Sequence, residues 1–300
     1  MKIQFLNGGL ANQTFQYIFT RFAQLRNPDN GSWYLDDSFF FIHDVHNGYE
    51  LDKVFGLQPN LLSRFFDEDV WEYMILQKKE HNRSIPEQLL ENGMGLYMIA
   101  EASNYTECNP FYGNVEHVRA NEYIPELADL PGDVYFHGYW INKEYFNAYR
   151  EQFINELRMP DITESHNLMY ADMIRGSRSA SLHVRRGDFL DFGWELPEDV
   201  IYRLVGSMHN EIPDMTLFVF SDDINWCKDN RKELGLDIPQ ETVFVEGNSG
   251  EMAFRDMQLM SMCKNMIIGT SSFNFLAALL NTGLEQYINV YGKRSLDNGK

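Results

Sequence analysis

Apolar residues recur along this chain with two periods, and the C-terminal half carries them most regularly. Short apolar runs at Ala180–Val184, Thr216–Phe220, Thr242–Val245, Asn265–Ile268 and Tyr287–Val290 read as strands. Amphipathic stretches between them predict helices over Glu198–His209, Ile224–Leu234, Gly250–Cys263 and Ser272–Leu280. Strands alternating with helices predict a parallel sheet covered on both faces. The N-terminus opens the same way. Lys2–Leu6 reads as a strand and Asn7–Ala11 as a glycine-bearing turn. A helix follows with Phe15, Ile18, Phe19 and Phe22 on one face. Val134–His137 reads as a strand running into a loop at Gly138–Trp140. Phe146, Tyr149, Phe153 and Leu157 share one stripe and predict a helix. Met159-Pro160-Asp161 ends that helix and marks a boundary, giving expected domains 1–158 and 159–300. From Asn27 to Pro131 aromatics and acids follow no period, and no element order is assigned there.

Composition narrows the partners. The length of 300 residues suits two α/β domains. A net charge of −19 repels nucleic acid and anionic lipid, so neither is expected as a partner. An anionic ligand would then need a local positive pocket. Cys108, Cys227 and Cys263 lack metal or redox spacing and read as small buried apolar residues in a reducing compartment. No apolar run reaches membrane-spanning length, and the first apolar run is too short for a secretory signal. The expected location is cytoplasmic, free or peripheral on the inner membrane face. The acceptor motifs at Asn12, Asn30, Asn82 and Asn104 are therefore read as chance matches to the glycosylation pattern.

Four strand-to-helix junctions carry unusual residues. The first is Asn7-Gly8-Gly9-Leu10-Ala11-Asn12-Gln13. Its glycines let backbone approach a ligand, or serve only a tight turn with Asn capping; the dinucleotide spacing G-x-G-x-x-G is absent. The second is His183-Val184-Arg185-Arg186-Gly187-Asp188, where two guanidiniums leave a strand. Guanidinium is a planar fork suited to a diphosphate, and adjacent cations are costly without an anion between them. The third is Ser221-Asp222-Asp223, read either as caps for the next helix or as contacts to sugar, ribose or base edge. The fourth is Gly269-Thr270-Ser271-Ser272-Phe273-Asn274, where hydroxyls open a helix and form a neutral phosphate cradle or a plain cap. Strand ends of one sheet that together supply cations, hydroxyls and helix N-termini suit a nucleoside diphosphate.

These residues resemble the α-1,2-fucosyltransferases of the bacterial type. Gly8-Gly9-Leu10-Ala11-Asn12-Gln13-Thr14-Phe15-Gln16-Tyr17 is similar to that family's first motif, which usually has Gly at position 11 and Met at position 14. His183 to Asp188 matches the His-x-Arg-Arg-x-Asp motif shared with α-1,6- and O-fucosyltransferases. Phe220 to Trp226, and Asp256 to Cys263 running on to Ser271–Ala278, resemble further family segments; Asn274-Phe275-Leu276 stands where the family commonly has Ser-Trp-Trp. The resemblance implies an α/β fold of the GT-B kind, two Rossmann-like domains facing a cleft. Residues 1–158 would form the acceptor side and 159–300 the GDP-fucose side. It implies transfer of L-fucose from GDP-β-L-fucose to the 2-hydroxyl of a galactose-terminated glycan, with inversion. It implies no cofactor and no metal, in keeping with the lack of a D-x-D triplet where a nucleotide-sugar metal site would be expected.

On that reading Arg186 contacts phosphate, Arg185 contacts phosphate or braces the motif, and Asp188 is either the base or an arginine holder. Asp191 and Glu195 are the other candidate bases. His183, Ser221, Asp222, Asp223, Ser271, Ser272 and Phe273 fall on the donor side, and Gly8, Gly9, Asn12 and Gln13 on the donor/acceptor cleft. Strand alternation sends Arg185 and Arg186 to opposite faces if the strand continues. The alternatives are a GDP-sugar transferase of other linkage and a non-catalytic glycan- or nucleotide-sugar-binding module, with a nicotinamide-dependent oxidoreductase behind both.

Overall fold

The computed structural model of the chain describes residues 1–102 and 115–290; Cys108 and the Asn104 acceptor motif lie outside them. The chain divides into two compact units, 1–158 and 159–300.

In the first unit five parallel strands form one sheet: β1 (Lys2–Phe5), β2 (Trp33–Asp36), β3 (Tyr97–Ala102), β4 (Val115–Arg119) and β5 (Val134–His137), ordered β2-β1-β5-β3-β4. Its helices are α1 (Leu10–Arg26), α2 (Leu51–Phe55), α3 (Glu68–His81), α4 (Ile85–Glu91), α5 (Lys143–Asn147) and α6 (Arg150–Glu156). The apolar stripe of α1 packs onto the sheet through aromatics. Phe19 stacks on Trp140 with ring centroids 4.4 Å apart and meets Trp33, Phe136 and Tyr145 edge-on. The single helix expected over 146–157 is two short ones. Tyr149, at φ −137° and ψ 44°, breaks it while its ring packs on Phe22. The described residues of the aperiodic 27–131 stretch hold β2, β3 and β4 and the helices α2, α3 and α4. Val-Glu-His-Val-Arg of β4 forms the sheet edge, and its half-exposed pattern hides it from a search for apolar runs.

In the second unit the strands are β6 (Ser179–Val184), β7 (Thr216–Ser221), β8 (Glu241–Phe244), β9 (Asn265–Ile268) and β10 (Gln286–Asn289), parallel and ordered β10-β9-β6-β7-β8. The helices are α7 (Ser165–Gly176), α8 (Gly187–Phe192), α9 (Glu198–Glu211), α10 (Ile224–Asp229), α11 (Phe254–Met262) and α12 (Ser272–Leu280). Each expected strand of this half is present to within a residue. The helix expected from Gly250 starts at Phe254 after a single 3₁₀ turn, the one expected to reach Leu234 stops at Asp229, and α7 and α8 were not foreseen.

In β6 Ser and His alternate with apolar residues, yet all six residues are buried. β6 lies between β7 and β9 and is covered on both faces. The strand order reverses between β6 and β9, which is where open α/β sheets leave a crevice at their carboxyl ends. Cys227 and Cys263 are buried, and burial raises both thiol pKa values, that of Cys227 to about 11. Among the described residues no helix is long and apolar enough to cross a membrane.

Candidate active site

The crevice at the strand-order reversal is built by backbone geometry before any side chain acts. β6 stops at Val184, and Arg186 takes φ −125° and ψ −66° as the chain turns into α8. Alternation therefore ceases to apply. Both guanidiniums reach toward the loop after β7 rather than to opposite faces of the sheet. Arg185 pairs through Nη1 with Asp222 Oδ2 and through Nη2 with Asp188 Oδ1, each at 2.7 Å. Arg186 donates its backbone N–H to Asp222 Oδ1 at 2.9 Å and pairs through Nε with Asp223 Oδ2 at 3.3 Å. Glycine at 187 is required by this clamp. A Cβ there would lie 2.7 Å from Asp222 Oδ2.

The two arginines are thus held differently. Arg185 spends both terminal nitrogens on carboxylates. Arg186 lies over the Trp226 ring, its Cζ 3.5 Å from the centroid, and its side chain is only 17% exposed. Among the described residues its two Nη groups have no acceptor. A largely desolvated guanidinium with its fork unused is a standing demand for an anion.

Asp223 caps α10 by accepting the Trp226 N–H at 3.2 Å, and the Ser221 hydroxyl accepts the Asp223 N–H at 2.9 Å. The capping alternative accounts for Ser221 and half of Asp223, while Asp222 is the arginine clamp.

Across the reversal, Ser271 caps α12 by accepting the Phe273 N–H, and the Asn274 side chain accepts the Gly269 N–H at 3.0 Å. His183, Val184, Arg185, Leu196, Ile201, Gly269, Thr270 and Ser271 line a small crevice. Burial lowers the His183 pKa to about 4, so the ring is neutral at pH 7; among the described residues its buried Nδ1 has no partner, and Phe273 packs against the ring at 5.5 Å. Ser272 stands at the first turn of α12, half-buried.

The N-terminal junction has a different character. Gly8 turns the chain at φ +78°, and a Cβ there would meet Asn12 Nδ2 at 2.8 Å. Gly9 precedes α1 without a side-chain cap, so the expected Asn capping is absent. Gln13 is fully buried. Its amide nitrogen donates to the Gly8 and Gly48 carbonyls at 2.8 Å, and its oxygen accepts the Glu50 N–H at 2.9 Å. Gln16 and Asn7 bond each other in the same turn. Asn12 hydrogen-bonds toward the Tyr139 hydroxyl.

Two acidic residues outside the sequence-derived site stand out. Asp256 on α11 is half-buried; desolvation of its carboxyl pushes it up to about 7, and it accepts from Asn248 Nδ2 at 2.8 Å. Asn248 in turn exchanges amide hydrogen bonds with Asn167 of α7. The signal in the sequence was a lone carboxylate on the apolar stripe of Phe254, Met257 and Met260. Glu195, read only as a reserve base, has a buried Oε2 and no hydrogen bond or ion pair among the described residues. Asp191 is exposed.

Residues 117–295 match the family described as Glycosyl transferase family 11. An Escherichia coli protein named Alpha-1,2-colitosyltransferase is 28% identical over 282 residues, covering 92% of this chain and 86% of its own. Another from Escherichia coli, O-antigen biosynthesis glycosyltransferase WbnK, is 26% identical over 295 residues, covering 92% and 89%. Galactoside alpha-(1,2)-fucosyltransferase 1 of Leontopithecus chrysomelas is 26% identical over 179 residues, covering 54% and 47%. Among solved structures, fucosyltransferase NodZ from Bradyrhizobium superposes with a TM-score of 0.51 at 11% identity, over 99% of each chain. POFUT1 in complex with GDP-fucose superposes with a TM-score of 0.50 at 11% identity, over 96% of this chain and 97% of that one. These likenesses bear out the GT-B architecture of two Rossmann-like units.

Proposed function

The chain belongs to glycosyl transferase family 11, and from that premise we propose that it is a metal-independent galactoside α-1,2-fucosyltransferase. It moves L-fucose from GDP-β-L-fucose to the 2-hydroxyl of a galactose in a glycan, with inversion at the anomeric carbon. Residues 159–300 hold the donor and 1–158 the acceptor side. The observation that carries this reading is Arg186, seated on Trp226 with no acceptor for either Nη group among the described residues.

As the bond from C1 to the β-phosphate oxygen breaks, charge grows on the diphosphate. The Arg186 fork takes two phosphate oxygens, and Arg185, fixed in advance by Asp188 and Asp222, adds a second cation. Thr270, Ser271, Ser272 and the first amides of α12 complete a neutral cradle. Neutral His183 offers Nδ1 to phosphate or ribose, and Phe273 backs its ring. Asp222 and Asp223 hold the two arginines in place for the donor.

Asp188 is likewise tied to Arg185 and serves as a positioning residue. Glu195 has no such tie and takes the proton of the attacking hydroxyl. Incubation with GDP-fucose and a galactose-terminated glycan should yield an α-1,2-fucosyl galactoside on linkage and NMR analysis. Absence of transfer, or another linkage, overturns the reading. The likeness to the colitosyltransferase favours colitose as a second donor sugar; competition between activated colitose and GDP-fucose decides between them.

A further inference from the structure

Beyond the arginines the chain runs into a segment that the phosphate chemistry does not use. Phe192 is 59% exposed, Trp194 57% and Leu190 46%. None of them belongs to the core of its unit. The Phe192 and Trp194 rings stack with centroids 4.7 Å apart at 24°, and Phe189 meets Trp194 edge-on at 5.9 Å. Gly193 makes this possible. At φ +64° it ends α8 and folds the chain back, so that Trp194 N–H donates to the Phe189 carbonyl at 3.0 Å. The plate is therefore ordered by backbone hydrogen bonds before anything covers it.

Its surroundings define what covers it. Asp188, Asp191 and Glu195 flank the rings within three residues, and the Arg185 guanidinium lies 5.8 Å from the Phe189 centroid. Carboxylates around an apolar plate, on a chain of net charge −19, repel phosphate headgroups and nucleic acid. A neutral pyranose meets both demands. Its C–H face covers aromatic carbon, and its hydroxyls donate to carboxylate oxygens. The buried Glu195 Oε2 lacks such a donor.

We infer that Phe192 and Trp194 form a stacking platform for the galactose ring of the acceptor, with Asp191 and Glu195 receiving its hydroxyls. The inference rests on the fucosyl-transfer reading for the identity of the sugar and assigns part of acceptor recognition to the donor-side unit. It makes Trp194 a specificity-determining residue.

The test compares wild type, Trp194→Ala and Trp194→Phe with GDP-fucose and methyl β-D-galactoside. Trp194→Ala should raise the acceptor KM about tenfold, which is about 1.4 kcal/mol, while calorimetric GDP affinity and Tm stay at wild-type values. Trp194→Phe should recover most of the loss. Galactoside should also shift the wild-type tryptophan emission, since Trp33, Trp71 and Trp140 are buried and Trp194 is the most exposed. An acceptor KM within twofold of wild type in Trp194→Ala, with transfer intact, sinks the platform and leaves the donor reading standing. A dimer in sedimentation that Trp194→Ala abolishes also sinks it, giving the patch to a second copy. If the wild type cleaves no GDP-fucose yet galactoside still shifts emission in a Trp194-dependent way, the donor reading fails and the platform survives.

Discussion

The turn after β1 and the turn after β6 have the same plan: a buried strand, a glycine-bearing bend and a helix. They differ in where their polar groups go. After β1, Gln13 uses its amide on Gly8, Gly48 and Glu50, and Gln16 answers Asn7. After β6, among the described residues, His183 Nδ1 is buried without a partner and Arg186 lies over Trp226 with its fork unused. Buried polar groups left unpaired cost stability, so a fold keeps them where a ligand completes them. One junction spends its polarity on holding a loop; the other holds it in reserve.

Mutating each junction sharpens that contrast. Arg186→Ala should lower kcat/KM about 10²–10³-fold, roughly 3–4 kcal/mol of transition-state stabilisation, with Tm near wild type. Gln13→Ala should do the reverse, lowering stability by about 1–3 kcal/mol while active-site titration finds folded molecules turning over normally. Equal activity loss in both would erase the distinction.

Gly187→Ala comes next. Its methyl would force Asp222 away and misplace both arginines, so kcat should fall roughly tenfold to a hundredfold. Crystallography of the variant would show the broken clamp. Gly8→Ala should cost about 1–2 kcal/mol of stability, because φ +78° is strained for any L side chain.

A third comparison uses pH. His183 has a folded pKa of about 4 against an ordinary 6.5, so the folded ring resists protonation while the unfolded one accepts it. Its contribution is intact above pH 6.5 and is lost as pH falls toward 4, by up to on the order of 3 kcal/mol. Urea midpoints of wild type and His183→Gln should therefore converge as pH drops through that window. Parallel curves would mean that the ring takes up its proton as readily in the fold as in the unfolded chain. The smallest expected effect is none: a chelator should leave the initial rate unchanged, since guanidinium supplies the charge. Loss restored by Mg²⁺ would overturn the metal-free mechanism.

Much of this was legible beforehand, and particular residues say why. β9 and α12 fall where their runs placed them, because a central parallel strand is continuously apolar and a helix needs one stripe. β4 was invisible because an edge strand can be polar. α8 was invisible because six residues with no buried face carry no period.

The sequence by itself determined the alternation that makes a parallel sheet, the glycines at its turns and the adjacency of Arg185 to Arg186, since these depend on neighbours along the chain. Only the tertiary structure decided that Asp222 and Asp223 pair with the arginines, that the Gln13 amide is spent on Gly8, Gly48 and Glu50, and that Asp256 and Glu195 have no cationic partner among the described residues. Such assignments depend on which group lies within about 3 Å across strands 30 or more residues apart. Local spacing carries no record of that distance.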